Sequence, residues 1–288
     1  MHIHIVSLPF DSGVRNVRMG NGPRYLLDAG LQQYLEGQGH QVALTELDPT
    51  FDPLTPEPTI MLELNRQLAT LVADALRRGA FPLILAGSCY TAVGTVTGMG
   101  ADRTGVFWFD SHADFNTPDT SGSGFLDGMA ITMLAGRSWQ HLLTGLANYQ
   151  PVPENHICLV GARDIDPPEQ ALLDASAVHV VGPDGLDGDL QRVLNGLPGK
   201  IDRAYLHLDL DVLDPGAARA NGLAAPGGPG IAQTAAAIAR IGTALPIRAM
   251  ALSAFDPGIG DGERVSGAAQ TLVEEALRPR VTEPASTG

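Results

Sequence analysis

Phe109-Asp110-Ser111-His112-Ala113-Asp114-Phe115-Asn116 and, about a hundred residues later, Leu208-Asp209-Leu210-Asp211-Val212-Leu213-Asp214-Pro215 decide how this chain is read. Each follows an apolar run, Gly105-Val106-Phe107-Trp108 in one case and Ala204-Tyr205-Leu206-His207 in the other, of the kind that forms a buried strand. The acids therefore fall where strands end. If the strand geometry persists, its two-residue period points Asp110, His112 and Asp114 one way, and Asp209 and Asp211 likewise. Carboxylates gathered beside apolar strands are costly unless a cation neutralises them. A single Asp-x-Asp is commonly a solvated turn; two of them, each closing a buried-looking strand, point to a metal site.

Working outward, apolar runs bounded by turn residues recur at 3–8, 41–47, 81–86, 105–109, 156–161, 178–181, 204–210 and 247–253, which makes eight candidate strands. Helical spacing lies between them, at 23–37, 60–78, 90–99, 128–143, 169–175, 186–194, 230–241 and 265–276. Strict alternation of strand and helix predicts an α/β fold: a mainly parallel eight-stranded sheet between two helical layers. In such sheets ligands bind beyond the carboxyl ends of the strands, where the acids are. The Pro- and Gly-rich loops at 221–230 and 256–262 are long enough to shape a binding site. No repeat or low-complexity linker interrupts the chain, so residues 1–280 read as a single domain and 281–288 as a flexible tail.

Composition narrows the function. The 288 residues are 44% hydrophobic and 17% charged, enough for a large core. A formal net charge of −14 argues against nucleic acid as a partner, since phosphate backbones are held by clusters of Lys and Arg. Two cysteines, Cys89 and Cys158, form no disulfide framework, and no run is long enough to span a bilayer. A cytoplasmic protein without a membrane partner is expected.

DSHADFNTP at 110–118 and DLDVLDP at 209–215 resemble two signature motifs of the ureohydrolases, the arginase and agmatinase family. Gly22-Pro23, the segment Gly161-Ala162-Arg163-Asp164-Ile165-Asp166 and Gly227-Gly228 agree with them, so the resemblance spans nearly the whole chain. It implies a three-layer αβα sandwich carrying two Mn²⁺ ions and a metal-bound hydroxide that attacks a guanidinium carbon. Asp110 and Asp209 are then expected to bridge both ions, Asp114 to bind the first, and His112 with Asp211 to bind the second. Hard carboxylates and imidazole suit Mn²⁺ on chemical grounds as well. Asn116 and Ser123 match positions that contact a substrate α-carboxylate, and Asp164, Asp166 and Glu169 match those around its α-amino group. The prolines after Asp166 also fit a plain helix start with Asp166 as cap.

Three departures from the family pattern are equally informative. Cys89, in Ala86-Gly87-Ser88-Cys89-Tyr90, stands where a His serves the first metal; it is either a softer ligand that weakens that position or a buried small hydrophobe. Asp127 replaces a proton-shuttling His, and together with Asp114 it is the candidate catalytic carboxylate; pairing with a cationic substrate and capping the helix at Gly128 are its other readings. Ala254 stands where a Glu binds guanidinium, and Asp256 lies close enough to compensate. At the Cys89 position and in the DFNTP segment the chain is similar to the N-hydroxyarginine hydrolases of this family. The resemblance thus implies a metal-dependent hydrolase of a linear C–N bond in an arginine-like amino acid, releasing urea or a substituted urea, and a homo-oligomer. A formimino or other guanidino acid as substrate, or a catalytically silent relative that binds metal or an amino acid, are the alternatives.

Overall fold

In the computed structural model, which describes residues 1–259 and 261–279, each of the eight apolar runs is a strand. The strands in chain order are β1 (His2–Leu8), β2 (Phe10–Asp11), β3 (Val14–Arg15), β4 (Gln41–Glu46), β5 (Phe81–Ala86), β6 (Thr104–Phe109), β7 (Ile157–Val160), β8 (His179–Val181), β9 (Arg203–Asp209) and β10 (Ile247–Ser253). The helices are α1 (Gly22–Asp28), α2 (Leu31–Gly37), α3 (Glu57–Arg77), α4 (Ala92–Met99), α5 (Ala130–Leu134), α6 (Gln140–Leu143), α7 (Pro167–Asp174), α8 (Gly188–Gly196), α9 (Ile231–Ala244) and α10 (Gly262–Leu277).

Eight strands form one sheet in the order β4-β1-β5-β10-β9-β6-β7-β8. Every neighbouring pair is parallel. Alternate residues feed two cores. Val6, Leu8, Ile84, Val106 and Trp108 pack toward Leu64, Leu68 and Val72 of α3 and Val96 of α4. Ile3, Ile5, Leu83, Phe107 and Phe109 pack toward Ile238 and Ile241 of α9 and Leu272 and Val273 of α10. Because both faces are covered, the strands are continuous apolar runs rather than alternating ones. The result is the three-layer αβα sandwich expected from the sequence.

Two long helical runs are divided. The 23–37 run breaks at Gly30, whose φ of 90° is left-handed backbone that ends α1 and starts α2 at a new angle. The 128–143 run becomes a 3-10 turn at Asp127–Met129, then α5, then α6 beyond Gly136 and Trp139, both with positive φ. Strands β2 and β3 form an antiparallel hairpin directly after β1. With two residues in each strand it has no readable period. No helix among the described residues is long and apolar enough to cross a membrane. The tail expected at 281–288 lies outside the described residues.

The chain passes from β5 to β6 over β10 and β9, which lie between them. The carboxyl ends of these four strands carry residues 89, 254, 209 and 110, so the sequence-distant motifs meet at one crevice.

Candidate metal centre and substrate cavity

The acids converge through turns rather than along extended strands. β6 ends at Phe109, and Asp114 has φ 48°. β9 ends at Asp209, after which Leu210–Val212 is a 3-10 turn. The expected strand alternation beyond residues 109 and 209 is therefore replaced by local hydrogen bonds: the His112 amide donates to Asp110 Oδ1 at 2.7 Å and the Asp211 amide to Asp209 Oδ1 at 2.9 Å. Each turn folds back on the carboxylate that precedes it, which brings the next ligand type to the same edge.

The other oxygens are also held. Trp108 Nε1 donates to Asp110 Oδ2 at 3.0 Å. Ser111 Oγ donates to Asp211 Oδ1 at 2.7 Å, and Asn221 Nδ2 donates to Asp211 Oδ2 at 3.1 Å and to the Ala254 carbonyl at 2.9 Å. His112 Nδ1 lies 3.3 Å from Asp110 Oδ1 and 3.4 Å from Asp211 Oδ2. Burial opposes a charge on this imidazole, but the Asp110 hydrogen bond and the charges of Asp110, Asp211 and Asp164 outweigh it and raise His112 to about 9. Burial, followed by the charges of Asp211 and Asp110, pushes Asp209 well above the usual carboxylate range. Asp114 is pushed the same way by burial and by Asp110 and Asp209, and its Oδ2 is buried without a partner.

Cys89 is 2% exposed at the start of the 3-10 turn that leads from β5 into α4. Its thiol donates to Asp209 Oδ2 at 3.3 Å and lies 3.4 Å from Ser253 Oγ. Burial and the charges of Asp209, Asp114, Asp127 and Asp110 raise the thiol well above its ordinary value. Ser253 Oγ in turn lies 3.0 Å from His207 Nε2, whose Nδ1 meets the Tyr205 hydroxyl at 3.0 Å. The His207 ring stacks on Trp108 with centroids 3.5 Å apart, and burial lowers it to about 3. Cys89 is thus neither an inert hydrophobe nor isolated: it ends a buried polar string behind the acids. Sequence reading passes over Ser253, His207 and Asn221. A histidine inside a run as apolar as Tyr205-Leu206-His207-Leu208 is the one signal that marks this layer.

The donor chemistry fits two cations. The ligand atoms of Cys89, Asp110 and Asp209 all lie within 4.8 Å of one another, as do those of Asp110, His112 and Asp211, so Asp110 is common to both groups. Asp114 is in neither triple, but one of its oxygens is buried without a partner and the charges of Asp110 and Asp209 act on the group. Carboxylates buried this close repel one another, and divalent charge relieves that repulsion.

Above the acids opens a cavity of about 800 Å³. Asn116, Ser123, Asp164, Asp166 and Glu169 line one flank. Asn116 Oδ1 accepts from Thr120 Oγ1 at 2.9 Å, and Ser123 Oγ accepts from the Phe125 amide at 3.2 Å. Asp166 occupies the N-cap of α7 with no side-chain cap bond, which corrects its reading as a capping side chain. Glu169 caps instead: buried, it accepts from the Phe115 amide at 2.7 Å and from the Asp166 amide, and so ties α7 to the Asp114 turn. Asp127 also makes no cap bond; its Oδ1 accepts from the Tyr90 amide at 3.4 Å, its Oδ2 is unpaired, and burial followed by the charge of Asp11 raises it well above the usual range. Ala254 is on the wall with φ 58°, and Asp256 beside it accepts from the Gly258 amide at 2.9 Å.

Comparison with known proteins agrees with this architecture. A sequence model of the arginase family matches residues 1–278. The chain is 30% identical over 243 residues to the arginase of Bacillus caldovelox, covering 78% of this chain and 81% of that one. It is similar to the crystal structure of the Bacillus subtilis arginase with a TM-score of 0.85 at 26% identity, covering 98% of this chain and 100% of that chain. The formimidoylglutamase of Bacillus subtilis shares the fold, with a TM-score of 0.74 at 18% identity over 96% of this chain and 86% of that one. The chain belongs to the arginase family, whose enzymes hydrolyse C–N bonds of amidines and guanidines rather than peptide bonds.

Proposed function

We propose that the protein hydrolyses the guanidino group of an arginine-like amino acid and releases urea or a substituted urea. What carries the reading is one cavity that joins two donor groups sharing Asp110 to a flank of amino-acid-reading side chains, while the wall position at 254 is an uncharged Ala. Asp110, His112 and Asp211 would hold one divalent cation, and Cys89, Asp110, Asp209 and Asp114 the other, with Mn²⁺ favoured by the oxygen-rich set and the Cys89 position the weaker. When bound, such cations supply the charge that lets a water lose its proton near neutral pH.

The chain's own residues do the rest. Asn116 and Ser123 offer an amide and a hydroxyl to an α-carboxylate, and Asp164 and Asp166, both exposed on the flank, offer carboxylates to an α-amino group. Glu169 acts through the backbone amides of Phe115 and Asp166. Burial holds the Asp127 carboxyl above the usual carboxylate range, which suits it to exchanging a proton with the departing nitrogen. Asp256 is the nearest carboxylate to the position vacated at Ala254 in sequence. Binding energy then comes mainly from the remote end of the substrate, which positions the reacting carbon. The reading extends to a single domain over residues 1–280, acting in the cytoplasm as a homo-oligomer on a small molecule.

The test is a screen of purified, Mn²⁺-loaded protein against arginine, N-hydroxyarginine, agmatine, guanidinobutyrate and formiminoglutamate, with the released product identified. N-hydroxyarginine should rival or exceed arginine, because the hydroxyl lowers the basicity of the guanidinium and its need for a paired carboxylate. Agmatine, which lacks the carboxylate, should be much poorer. Comparable turnover of agmatine and arginine would refute the amino-acid reading, and turnover of formiminoglutamate alone would favour the formimino alternative, to which the missing carboxylate at 254 also points.

A further inference from the structure

The cavity continues past the acids, away from the α7 flank, toward the elements that follow β1 and β4. Its far wall is Ser12, Arg18, Met19 and Glu57, from the β2–β3 hairpin, the turn after it and the first residue of α3. Arg18 is the only Lys or Arg on the cavity wall among the described residues. Its guanidinium is anchored: Nε and Nη2 donate to Asp11 Oδ2 and Oδ1, both at 2.9 Å, and Nη2 also donates to Ser12 Oγ at 2.8 Å. Asp11 itself is fully buried and accepts from the Met19 amide at 3.3 Å. Two carboxylates that line the cavity, Glu57 on this wall and Asp127, each carry a buried oxygen without a hydrogen-bond partner, Oε1 and Oδ2 respectively, and Asp127 is only 4% exposed.

Buried polar atoms in folded proteins are nearly always paired, and unpaired acceptors lining a cavity call for donors from whatever enters it. The cavity has room for more than arginine: about 800 Å³ lies high in the range of roughly 300–1,000 Å³ that encloses drug-sized ligands. Ala254, also on the cavity wall, takes up little of that space.

We propose that Glu57 and Asp127, beside the anchored Arg18, form a second subsite that receives an N–H-bearing substituent on the outer nitrogen of the substrate's guanidino group. The inference rests on the guanidino-hydrolase reading and narrows the substituent that reading allows to one that carries an N–H donor. Asp127 faces both the reacting group and the substituent, and Glu57 reads the substituent alone.

Calorimetric binding of arginine and of Nω-aminoarginine to the Mn²⁺-loaded protein tests this. One added charge-assisted hydrogen bond should make the amino compound at least about tenfold tighter. Glu57→Ala should bring the ratio of the two dissociation constants close to one, and Glu57→Gln, which keeps the shape but not the charge, should leave an intermediate ratio. Equal affinities in the unaltered protein, or an excess that survives both substitutions, would overturn the subsite while leaving the guanidino reading intact. If neither compound bound to protein shown to hold its Mn²⁺, the guanidino reading would fall, and the subsite with it.

Discussion

Cys89 sets the two donor groups apart. A thiol that donates to Asp209 and is raised well above its ordinary value must lose its proton before it can serve as a ligand. The group containing His112 has no such requirement of sulfur. Titration with Mn²⁺ should therefore give two unequal affinities, and Cys89→His, which supplies an imidazole, should raise occupancy of the weaker position; two equal and tight sites in the unaltered protein would contradict this. Asp209 is the residue whose loss both groups should feel, because it accepts from Cys89 on one side and from the Asp211 amide on the other. Asp209→Ala should abolish bound metal, measured by elemental analysis, with the circular dichroism of the fold preserved; full occupancy in that variant would remove Asp209 from the ligand set. Behind Cys89, His207 carries its own signature. Burial lowers it to about 3 from an unfolded value of 6.5, so between those values the unfolded chain takes up a proton that the folded chain refuses. Its contribution to stability is complete above 6.5 and declines as pH falls, by roughly 2 kcal/mol between pH 7 and 5. The fall in denaturant midpoint over that interval should be shallower in His207→Gln, and an identical fall would show that His207 is not held neutral.

At the scale of elements, the β2–β3 hairpin is what holds Arg18 at the cavity, through buried Asp11, and it reaches β5 through a glycine. A Cβ at Gly87 would collide with the Phe10 carbonyl and come within 2.8 Å of the Gly20 Cα, both backbone atoms that cannot swing aside. Gly87→Ala should cost about 1–3 kcal/mol, as overpacking does, and should displace the hairpin; an unchanged thermal midpoint would mean that the contact yields. This hairpin also marks where the sequence stops being legible. The eight sheet strands can be read because parallel strands covered on both faces become apolar runs, and the acids can be read because each pair closes such a run. A hairpin with two residues per strand presents no period. The helix expected over 23–37 fails at Gly30, where one left-handed residue redirects an otherwise continuous apolar pattern. Within the site, Asp110, His112, Asp209 and Asp211 are legible in their motifs, whereas Ser253 reaches Cys89 across 164 positions and Asn221 reaches Ala254 across 33, contacts for which no local pattern exists.

For the whole molecule, the carboxyl edge of the sheet is where folding free energy is spent on chemistry. Two apolar cores hold β5, β10, β9 and β6 in place, and their ends bring acids into an environment that raises Asp110, Asp114, Asp127 and Asp209. An acid raised on folding contributes stability that is fully present below its unfolded value of 3.8 and is lost as pH rises through its folded value. His112, raised from 6.5 to about 9, behaves in the same direction, its contribution complete below 6.5 and lost as pH climbs through about 9. The metal-free protein should therefore weaken as pH rises through this window, on a chain whose net charge is already −14. Divalent cations compete for the same atoms and bind better as the protons leave. A ligand that binds only the folded state stabilises by about 2.7 kcal/mol at a hundredfold excess over its Kd, and by more as Kd falls. The rise in Tm on adding a fixed excess of Mn²⁺ should thus be small near about pH 5.5 and grow steadily toward about pH 8.5. Scanning calorimetry of metal-free and Mn²⁺-loaded protein across that range measures it directly. A rise that stays flat, or shrinks as pH increases, would mean that the buried acids and His112 are not the groups that hold the metal.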